Sequence, residues 1–430
     1  MMQLSNLPRE LLADIESYLD DDDCKQLCQT CRPLMHALQE RVYRHIALDE
    51  TKESGQSFLA IATGPRAQYV RRVRYSPHEP KPVKGWDEDS YTPEDERHDP
   101  NIKLSDEGRD ALASLHRFPG LEELALVLDD WQLVDWPGTP FSLSGGEFEE
   151  YHDGYDVEPW RVLLEDSFLA LGRSGGTFTR MLIDNLPPIP ETPCYHAIRT
   201  EEWKTILNGL TSFEVILSSI EDQGAGSMTI AHSEFLDSFT ETFLCHLKNV
   251  ERLRIVGDGN AVIGHLEDRE PIPWTTVHLP RIKTFELEYS CFSTTTRGNS
   301  SELVDFLLQH SGTLERIYLR HCIANGISAW SDLIQGFIAA RPTQLRDFII
   351  EAYPMKMNYW IDDDEQVETG EETKMRQFVI GETCESYGAI QPFWMGSEPD
   401  DEQLEELDES EVAEQWKVLQ NIIQENRSTG

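Results

Sequence analysis

A short pattern of apolar positions recurs along much of this 430-residue chain. Each copy reads apolar, two residues, apolar, one residue, apolar, as in Val250-x-x-Leu253-x-Ile255. Strand side chains alternate between the two faces of a sheet, so the alternating end of the pattern predicts a half-buried β-strand. The eight copies begin at Val70, Leu121, Phe178, Leu210, Val250, Ile282, Leu314 and Leu345.

The spacing of these copies indicates a repeat. Their first residues are separated by 51, 57, 32, 40, 32, 32 and 31 residues. Stretches that predict helices precede six of the copies, at residues 105–116, 160–171, 201–209, 235–247, 303–310 and 330–340. A unit of strand, loop and helix at a near-constant period is typical of stacked supersecondary units.

The pattern resembles the Leu-x-x-Leu-x-Leu core of leucine-rich repeats. It lacks the Asn or Cys that usually follows the strand in that family, except at Cys291 and Cys322. The resemblance implies an irregular, leucine-rich-repeat-like α/β solenoid with parallel strands. Ordinary βα units in a doubly wound sheet are the alternative.

Two acidic intervals, near residues 76–104 and 129–158, are too long for one repeat. We expect the first to be a disordered insertion and the second, which carries several aromatic residues, to cover solenoid surface. The repeat fades after residue 355 into an acidic loop, one more predicted strand at 377–380 and a helix at 412–424. This helix could cap the last apolar edge of the solenoid.

The N-terminal residues 4–46 follow a different pattern, which predicts three short helices. Pro8 suits the first turn of a helix, and apolar residues follow it at three- and four-residue spacing. The run from Asp20 to Asp23 supplies an N-cap for a helix over 24–30, and Pro33 can open a third over 34–42. Three helices of this size bury little core, so a partner that covers apolar surface would stabilise them.

This stretch resembles the F-box, and the whole layout is similar to that of fungal-type F-box proteins. The matching residues are Leu-Pro-x-Glu-Leu-Leu-x-x-Ile-x-x-Tyr-Leu from Leu7 and Leu-x-x-Thr-Cys-Arg from Leu27. The match departs at Cys24, where an apolar residue is usual and a small buried thiol can substitute. In that family the segment docks on a Skp-family adaptor and through it on a cullin. The resemblance implies an adaptor-binding or F-box core set of Leu7, Pro8, Leu11, Ile15, Leu19, Leu27, Cys31 and Leu34.

The chain is strongly acidic, with 37 Lys and Arg against 78 Asp and Glu, a net charge of -41. Such a surface repels phosphates, so we expect neither a nucleic-acid nor an anionic-membrane partner. No segment approaches the ~18 apolar residues of a membrane span, and no signal peptide is expected. The eight Cys are scattered, as reduced thiols in a cytoplasmic or nuclear protein would be.

Candidate chemistry is sparse. No Ser/His/Asp arrangement, phosphate-binding loop or His-Glu-x-x-His motif stands out, so we expect no catalytic residue and no cofactor. Cys24, Cys28 and Cys31 share one helix face. They lack the tight turn and second ligand pair of a structural zinc site, so we interpret them as core or interface residues and expect no metal.

The polar residues between the apolar positions would face the concave side of the solenoid. Their charges alternate from strand to strand, so that Arg254 would neighbour Glu286, and Arg316 would neighbour Asp347. This face is either a ladder of ion pairs that sets strand register or a recognition surface for a protein segment, with Tyr318 as an anchor. The candidate target-binding residues are Arg252, Arg254, Glu286, Glu288, Arg316, Tyr318 and Arg320.

The sequence therefore predicts an F-box at 1–50, a solenoid at 51–355 and an acidic loop with a capping helix at 356–430. The resemblance implies a substrate-recognition subunit of an SCF-type, cullin-based ubiquitin ligase that binds an adaptor and a target protein and catalyses nothing itself. The alternatives are an F-box scaffold without a role in ubiquitination, and an enzyme with an unrecognised site near 129–158.

Overall fold

A computed structural model of the chain describes residues 18–30, 32–77, 103–128, 159–176, 178–186, 193–217, 230–257, 263, 272–293, 301–325, 327–351, 377–380, 383–386 and 409–429. The helices are α1 (Asp21–Thr30), α2 (Arg32–Val42), α3 (Lys52–Ala62), α4 (Asp106–Ala113), α5 (Pro159–Gly172), α6 (Pro193–Ile198), α7 (Glu201–Gly209), α8 (Ile230–Thr242), α9 (Glu302–Gln309), α10 (Ile327–Ala340) and α11 (Glu409–Thr429). The strands are β1 (His45–Leu48), β2 (Arg72–Tyr75), β3 (Glu123–Val127), β4 (Arg180–Leu186), β5 (Ser212–Leu217), β6 (Arg252–Val256), β7 (Thr284–Glu288), β8 (Cys291–Ser293), β9 (Arg316–Arg320), β10 (Ile323–Asn325), β11 (Asp347–Glu351), β12 (Gln377–Ile380) and β13 (Thr383–Ser386).

Helices α1 and α2 agree with the helices predicted at 24–30 and 34–42, and the helix predicted to open at Pro8 lies almost wholly outside the described residues. The carboxylate of Asp20 accepts a hydrogen bond from the Asp23 amide at 2.7 Å, as an N-cap does. The Arg41 guanidinium donates to the Leu19 carbonyl at 2.5 Å and so joins α2 to the segment before α1. The buried residues of the pair are Cys24, Leu34 and Leu38.

Within the described residues, nine strands form one sheet in chain order, β1-β2-β3-β4-β5-β6-β7-β9-β11. The strands run parallel and alternate with helices, and equivalent pattern positions lie opposite one another, as Leu253, Phe285, Ile317 and Phe348 do. A doubly wound sheet would reverse its strand order, and this sheet does not. Right-handed crossovers that always step to the next strand keep their helices on one face. The fold is a solenoid-like α/β arrangement.

All eight strands predicted from the repeated pattern are present in the main sheet. Each begins two residues after the first apolar residue of its copy. The ninth strand, β1, was missed because His45 and Ile46 were assigned to the end of the F-box. A ninth copy of the pattern, Tyr43-x-x-Ile46-x-Leu48, lies there with Tyr in the first apolar place. Ile46 and Leu48 align with the apolar positions of β2.

The described residues up to Phe213 form one compact unit, and those from Glu214 onwards form a second. In the first unit, α3 and α4 approach so closely that a Cβ on Gly55 would lie 2.5 Å from the Glu107 backbone. Aromatic side chains fill the core, with Phe168 stacked on Trp203 at 5.3 Å between ring centroids. The indole of Trp203 donates a hydrogen bond to the Phe168 carbonyl at 2.6 Å.

A buried hydroxyl chain connects β2 to α5 in this unit. The Tyr75 and Ser167 hydroxyl oxygens lie 2.7 Å apart, and Ser167 donates to the Leu163 carbonyl at 2.6 Å. Because Ser167 donates elsewhere, the phenol of Tyr75 is the donor to Ser167. Burial raises the pKa of Tyr75 well above its ordinary value, so this phenol stays protonated and the chain stays satisfied.

The core of the second unit is an aromatic cluster beneath β7. Trp274 contacts Phe285 at 5.4 Å and Phe306 at 4.9 Å between ring centroids. Farther along, Phe348 of β11 lies between Phe337 and Trp416, in edge-on contacts of 5.3 and 5.6 Å. Such pairs contribute about 0.5–1.5 kcal/mol beyond the area they bury.

The predicted closing helix is present as α11, and it packs on α10 and β11. Asn426 donates hydrogen bonds to the carbonyls of Pro342 and Leu345 at 2.7 and 2.9 Å. These bonds fix the helix against the loop that leads into β11. Its buried residues are Val412, Trp416, Leu419 and Ile423.

Among the described residues, two small sheets accompany the main one. Strands β8 and β10 pair in parallel, and β12 pairs with β13 as an antiparallel hairpin that includes the predicted strand at 377–380. Tyr289 and His321 follow β7 and β9 with positive φ angles of 53° and 52°, and their rings stack at 4.8 Å. The chain therefore turns in the same way after both strands.

The other predicted helices, which lie within the described residues, are observed with small shifts at their ends. The largest shift is at 235–247, where α8 spans Ile230–Thr242 and a short 3-10 turn follows. Most of the interval 76–104, and all of residues 129–158 and 362–372, lie outside the described residues. The predictions for them remain predictions. Among the helices that the structure describes, none is both long and apolar enough to cross a membrane.

We predict that Trp416→Ala lowers the free energy of unfolding by about 3–5 kcal/mol, because it leaves a cavity against Phe348. The matched control is Val418→Ala on the same helix, because Val418 is 46% exposed. The control should change stability by less than about 0.5 kcal/mol. Urea unfolding of both variants tests this, and equal stabilities would show that α11 does not close the core.

His310 is a buried histidine whose ring nitrogens are both engaged. Its Nδ1 lies 2.7 Å from the Phe306 carbonyl, and its Nε2 accepts the Leu279 amide at 3.1 Å. Nδ1 therefore carries the proton in a neutral ring. Burial lowers the pKa of His310 below its ordinary 6.5. The hydrogen bond with the Phe306 carbonyl raises this pKa, the charge of the nearby His278 lowers it, and the net shift is downward.

We expect His310 to make the folded state sensitive to acid. Because the pKa of His310 is lower in the folded state, the unfolded state takes up the proton first as the pH falls. The contribution of neutral His310 to folding stability is therefore complete above the unfolded pKa. It is lost as the pH falls through the folded pKa of His310. The difference in unfolding free energy between the native chain and His310→Gln should therefore shrink between about pH 7.5 and about pH 5. A difference that is constant with pH would contradict this.

Candidate functional site

Strands β6, β7, β9 and β11 present two unlike faces. Every second side chain is apolar and buried on the face that packs on the helices, as Leu253 and Ile255 are. The side chains between them, on the opposite face, are mostly charged and half-buried, as Arg254 and Arg320 are. We call this second face of these strands the polar face. It carries all seven of the candidate target-binding residues.

Glu286 lies at the centre of the polar face. It is only 9% exposed, and its carboxylate meets Arg252 at 3.1 Å, Arg254 at 3.6 Å and Arg320 at 3.6 Å. A buried carboxylate is costly unless it is paired and hydrogen-bonded. Three arginines from two neighbouring strands meet that requirement, so Glu286 holds β6, β7 and β9 together on this face.

Further carboxylates surround two of these arginines. Arg254 hydrogen-bonds Glu214 of β5 and also meets Glu288 at 3.3 Å, while Arg320 meets Glu351 at 3.2 Å. Burial opposes the charged form of Arg254, but the hydrogen bonds and charges of Glu214 and Glu288 outweigh it and raise its pKa. The ladder of ion pairs that the sequence suggested is therefore present in this part of the sheet.

The polar face contains a depression of about 430 Å³. Six of the seven candidate target-binding residues line it, and Glu288 does not. Thr284, which the sequence places on this face but the candidate set does not include, also lines it. The lining residues are Arg252, Arg254, Thr284, Glu286, Arg316, Tyr318 and Arg320.

Arg316 differs from the other three arginines because it has no ion pair with any residue that the structure describes. Like Arg252, it is exposed. The register places it beside Asp347, as expected. The Asp347 carboxylate instead meets Arg427 of α11 at 2.5 Å. On β9, the strand of Arg316, the Arg320 guanidinium lies 5.0 Å from the ring centre of Tyr318.

Sequence reasoning missed two parts of the charged face. Glu214 occupies the same pattern position as Arg254 and Glu286, so alignment of the copies would have found it. In the first unit, Arg72 meets Glu123 at 2.9 Å, and Arg180 stands opposite Glu123 in the register. The same sign alternation therefore occurs in both units.

The candidate adaptor-binding residues are only partly within the described residues. Leu34 is buried, which places it in the core of the helix pair, and Leu19 and Leu27 are half-buried. Tyr18 is 89% exposed, an apolar surface that a partner could cover. The candidates that lie outside the described residues are Leu7, Pro8, Leu11, Ile15 and Cys31.

Other chemistry is limited in the parts of the chain that are described. They contain no group of three His, Cys, Asp or Glu residues suited to a metal ion. Cys24 is buried and Cys28 is half-buried in α1, as core or interface thiols would be. The interval 129–158, near which the enzyme hypothesis placed its site, lies wholly outside the described residues.

We predict that Glu286→Gln lowers the free energy of unfolding by roughly 1–3 kcal/mol, because three arginines lose their shared carboxylate. The control is Glu414→Gln, which breaks an exposed pair with Lys417 on α11. An exposed pair of this kind contributes about 0–1 kcal/mol. Chemical denaturation at low and high salt checks both, and equal losses in the two variants would contradict a central role for Glu286.

The N-terminal segment has a match among known protein families. The family model described as F-box-like matches residues 4–49, a span that includes α1, α2 and β1. A search of curated proteins finds no match to the chain. The matched span contains all eight candidate adaptor-binding residues, so the segment that the resemblance singled out is the segment that the family model finds. At residues 4–49 the chain therefore carries an F-box-like domain.

Proposed function

We propose that this protein is the substrate-recognition subunit of an SCF-type ubiquitin ligase. It would bind a Skp-family adaptor, and through it a cullin, with residues 4–49. It would bind a target protein with the polar face. The observation that carries the proposal is the F-box-like domain at the head of a repeat sheet. F-box domains typically bind adaptors of this family.

The mechanism would be proximity rather than catalysis by the chain itself. One segment holds the ligase and another holds the target, so the transfer of ubiquitin becomes effectively intramolecular. This requires two separate binding surfaces and no active site. The proposal places the protein in the cytoplasm or nucleus.

The composition of the polar face supports recognition in addition to its structural role. Arginine and tyrosine are enriched at protein interfaces and among their energetic hot spots. The depression presents four arginines and a half-buried tyrosine. A ladder that only set strand register would pair all of its charges, and Arg316 has no ion pair within the described residues.

We predict that Leu7→Ala with Pro8→Ala weakens co-purification with a Skp-family adaptor by about tenfold or more, the scale of losing a buried apolar anchor. The double variant removes apolar contact area at the start of the matched segment. Quantitative pull-down of the full chain with purified adaptor measures the change, with circular dichroism as the check on folding.

The matched control for that experiment is Arg316→Ala, which alters the polar face and leaves the F-box-like segment intact. It should bind the adaptor as the native chain does. Undiminished adaptor binding by the folded double variant would refute the assigned docking residues. Failure of the native chain to bind any Skp-family adaptor would refute the proposed function.

A further inference from the structure

Three residues form a straight row across the polar face. Arg252 of β6, Thr284 of β7 and Arg316 of β9 stand opposite one another in the register. Adjacent strands lie about 4.8 Å apart, so the two arginine strands are roughly 10 Å apart with the threonine between them. Both side chains are long enough to converge over Thr284. All three line the depression.

The charges around this row leave one guanidinium uncompensated. Arg254 pairs with Glu214 and Glu288, and Arg320 pairs with Glu351. Arg252 pairs with the buried Glu286 but keeps 53% of its side chain exposed.

Arg316 would be expected to pair with Asp347, its neighbour in the register. The Arg427 side chain on α11 occupies that carboxylate instead. Within the described part of the chain, Arg316 is therefore a cation without a counter-charge.

The balance of charge also indicates which anion would fit. Four carboxylates, on Glu214, Glu286, Glu288 and Glu351, accompany the four arginines of the depression. A phosphate dianion would be repelled by this set more strongly than a carboxylate with a single charge. One carboxylate could accept from both guanidiniums and from the Thr284 hydroxyl.

Tyr318 supplies an apolar surface beside the row. It lies one polar position along β9 from Arg316, and its ring is covered on one side by Arg320. It is half-buried and lines the same depression. A residue next to the bound carboxylate could pack on its open side.

We propose that the row of Arg252, Thr284 and Arg316 binds one aspartate or glutamate side chain of an extended segment in the target protein. Tyr318 contacts the residue beside it. Glu286 and its arginines then form the rigid floor of the site. This inference rests on the proposed function, since it names the chemistry of the target.

A peptide library on the purified full chain tests the proposal without the adaptor. The probes are random nine-residue peptides with the central position fixed as Glu, Gln, phosphoserine or Lys. We expect the Glu pool to be retained about tenfold more than the Gln pool, the scale of a charge-assisted hydrogen bond. The retention should fall as salt rises.

Arg316→Ala should reduce retention of the Glu pool to that of the Gln pool. Arg281→Ala is the control, because Arg281 is exposed in the same unit, outside the depression, and should change nothing. Equal retention of the Glu and Gln pools, or an Arg316→Ala variant that retains the Glu pool, would overturn the proposal. Preference for the phosphoserine pool would overturn the choice of a carboxylate. Adaptor binding is measured separately, so its loss would refute the proposed function alone.

Discussion

The in-register stacking of parallel strands is the constraint on which this structure depends. Each copy of the apolar pattern alternates its side chains between two faces, and the register repeats that alternation from strand to strand. A slip of one residue in any strand would turn charges into the core. The register therefore sorts the sequence into an apolar face under the helices and a charged face opposite.

The polar face is both a structural and a chemical consequence of this register. Glu286 is buried where three arginines can reach it, so the ion pairs that fix the strands also fill the floor of the depression. The closing helix has a similar double effect. Its apolar side covers β11, while its Arg427, rather than Arg316, forms the ion pair with Asp347. Closure of the sheet thus leaves Arg316 without an ion pair among the described residues.

Much of this could be predicted from the sequence because the signals are local. Alternation within six residues located eight strands, and the shared pattern position placed Arg254 beside Glu286. Strand β1 was not predicted because Tyr43 stands at the first apolar position of its copy, within a segment assigned to another domain. The partner of Asp347 was not predicted because Arg427 is 80 residues away in the chain. No local pattern reports contacts across such distances. The roles of Leu7, Pro8, Leu11, Ile15 and Cys31 remain predictions.

The central claim is that one chain carries an adaptor surface and a separate target surface. The most direct measurement is the half-life of proteins that lie near the chain in cells, identified by proximity labelling. We expect a shared set of proteins to be stabilised both by deletion of residues 1–46 and by Arg316→Ala, with adaptor binding lost only in the deletion. Half-lives that stay the same in both variants would contradict the claim and would favour a scaffold without a role in ubiquitination.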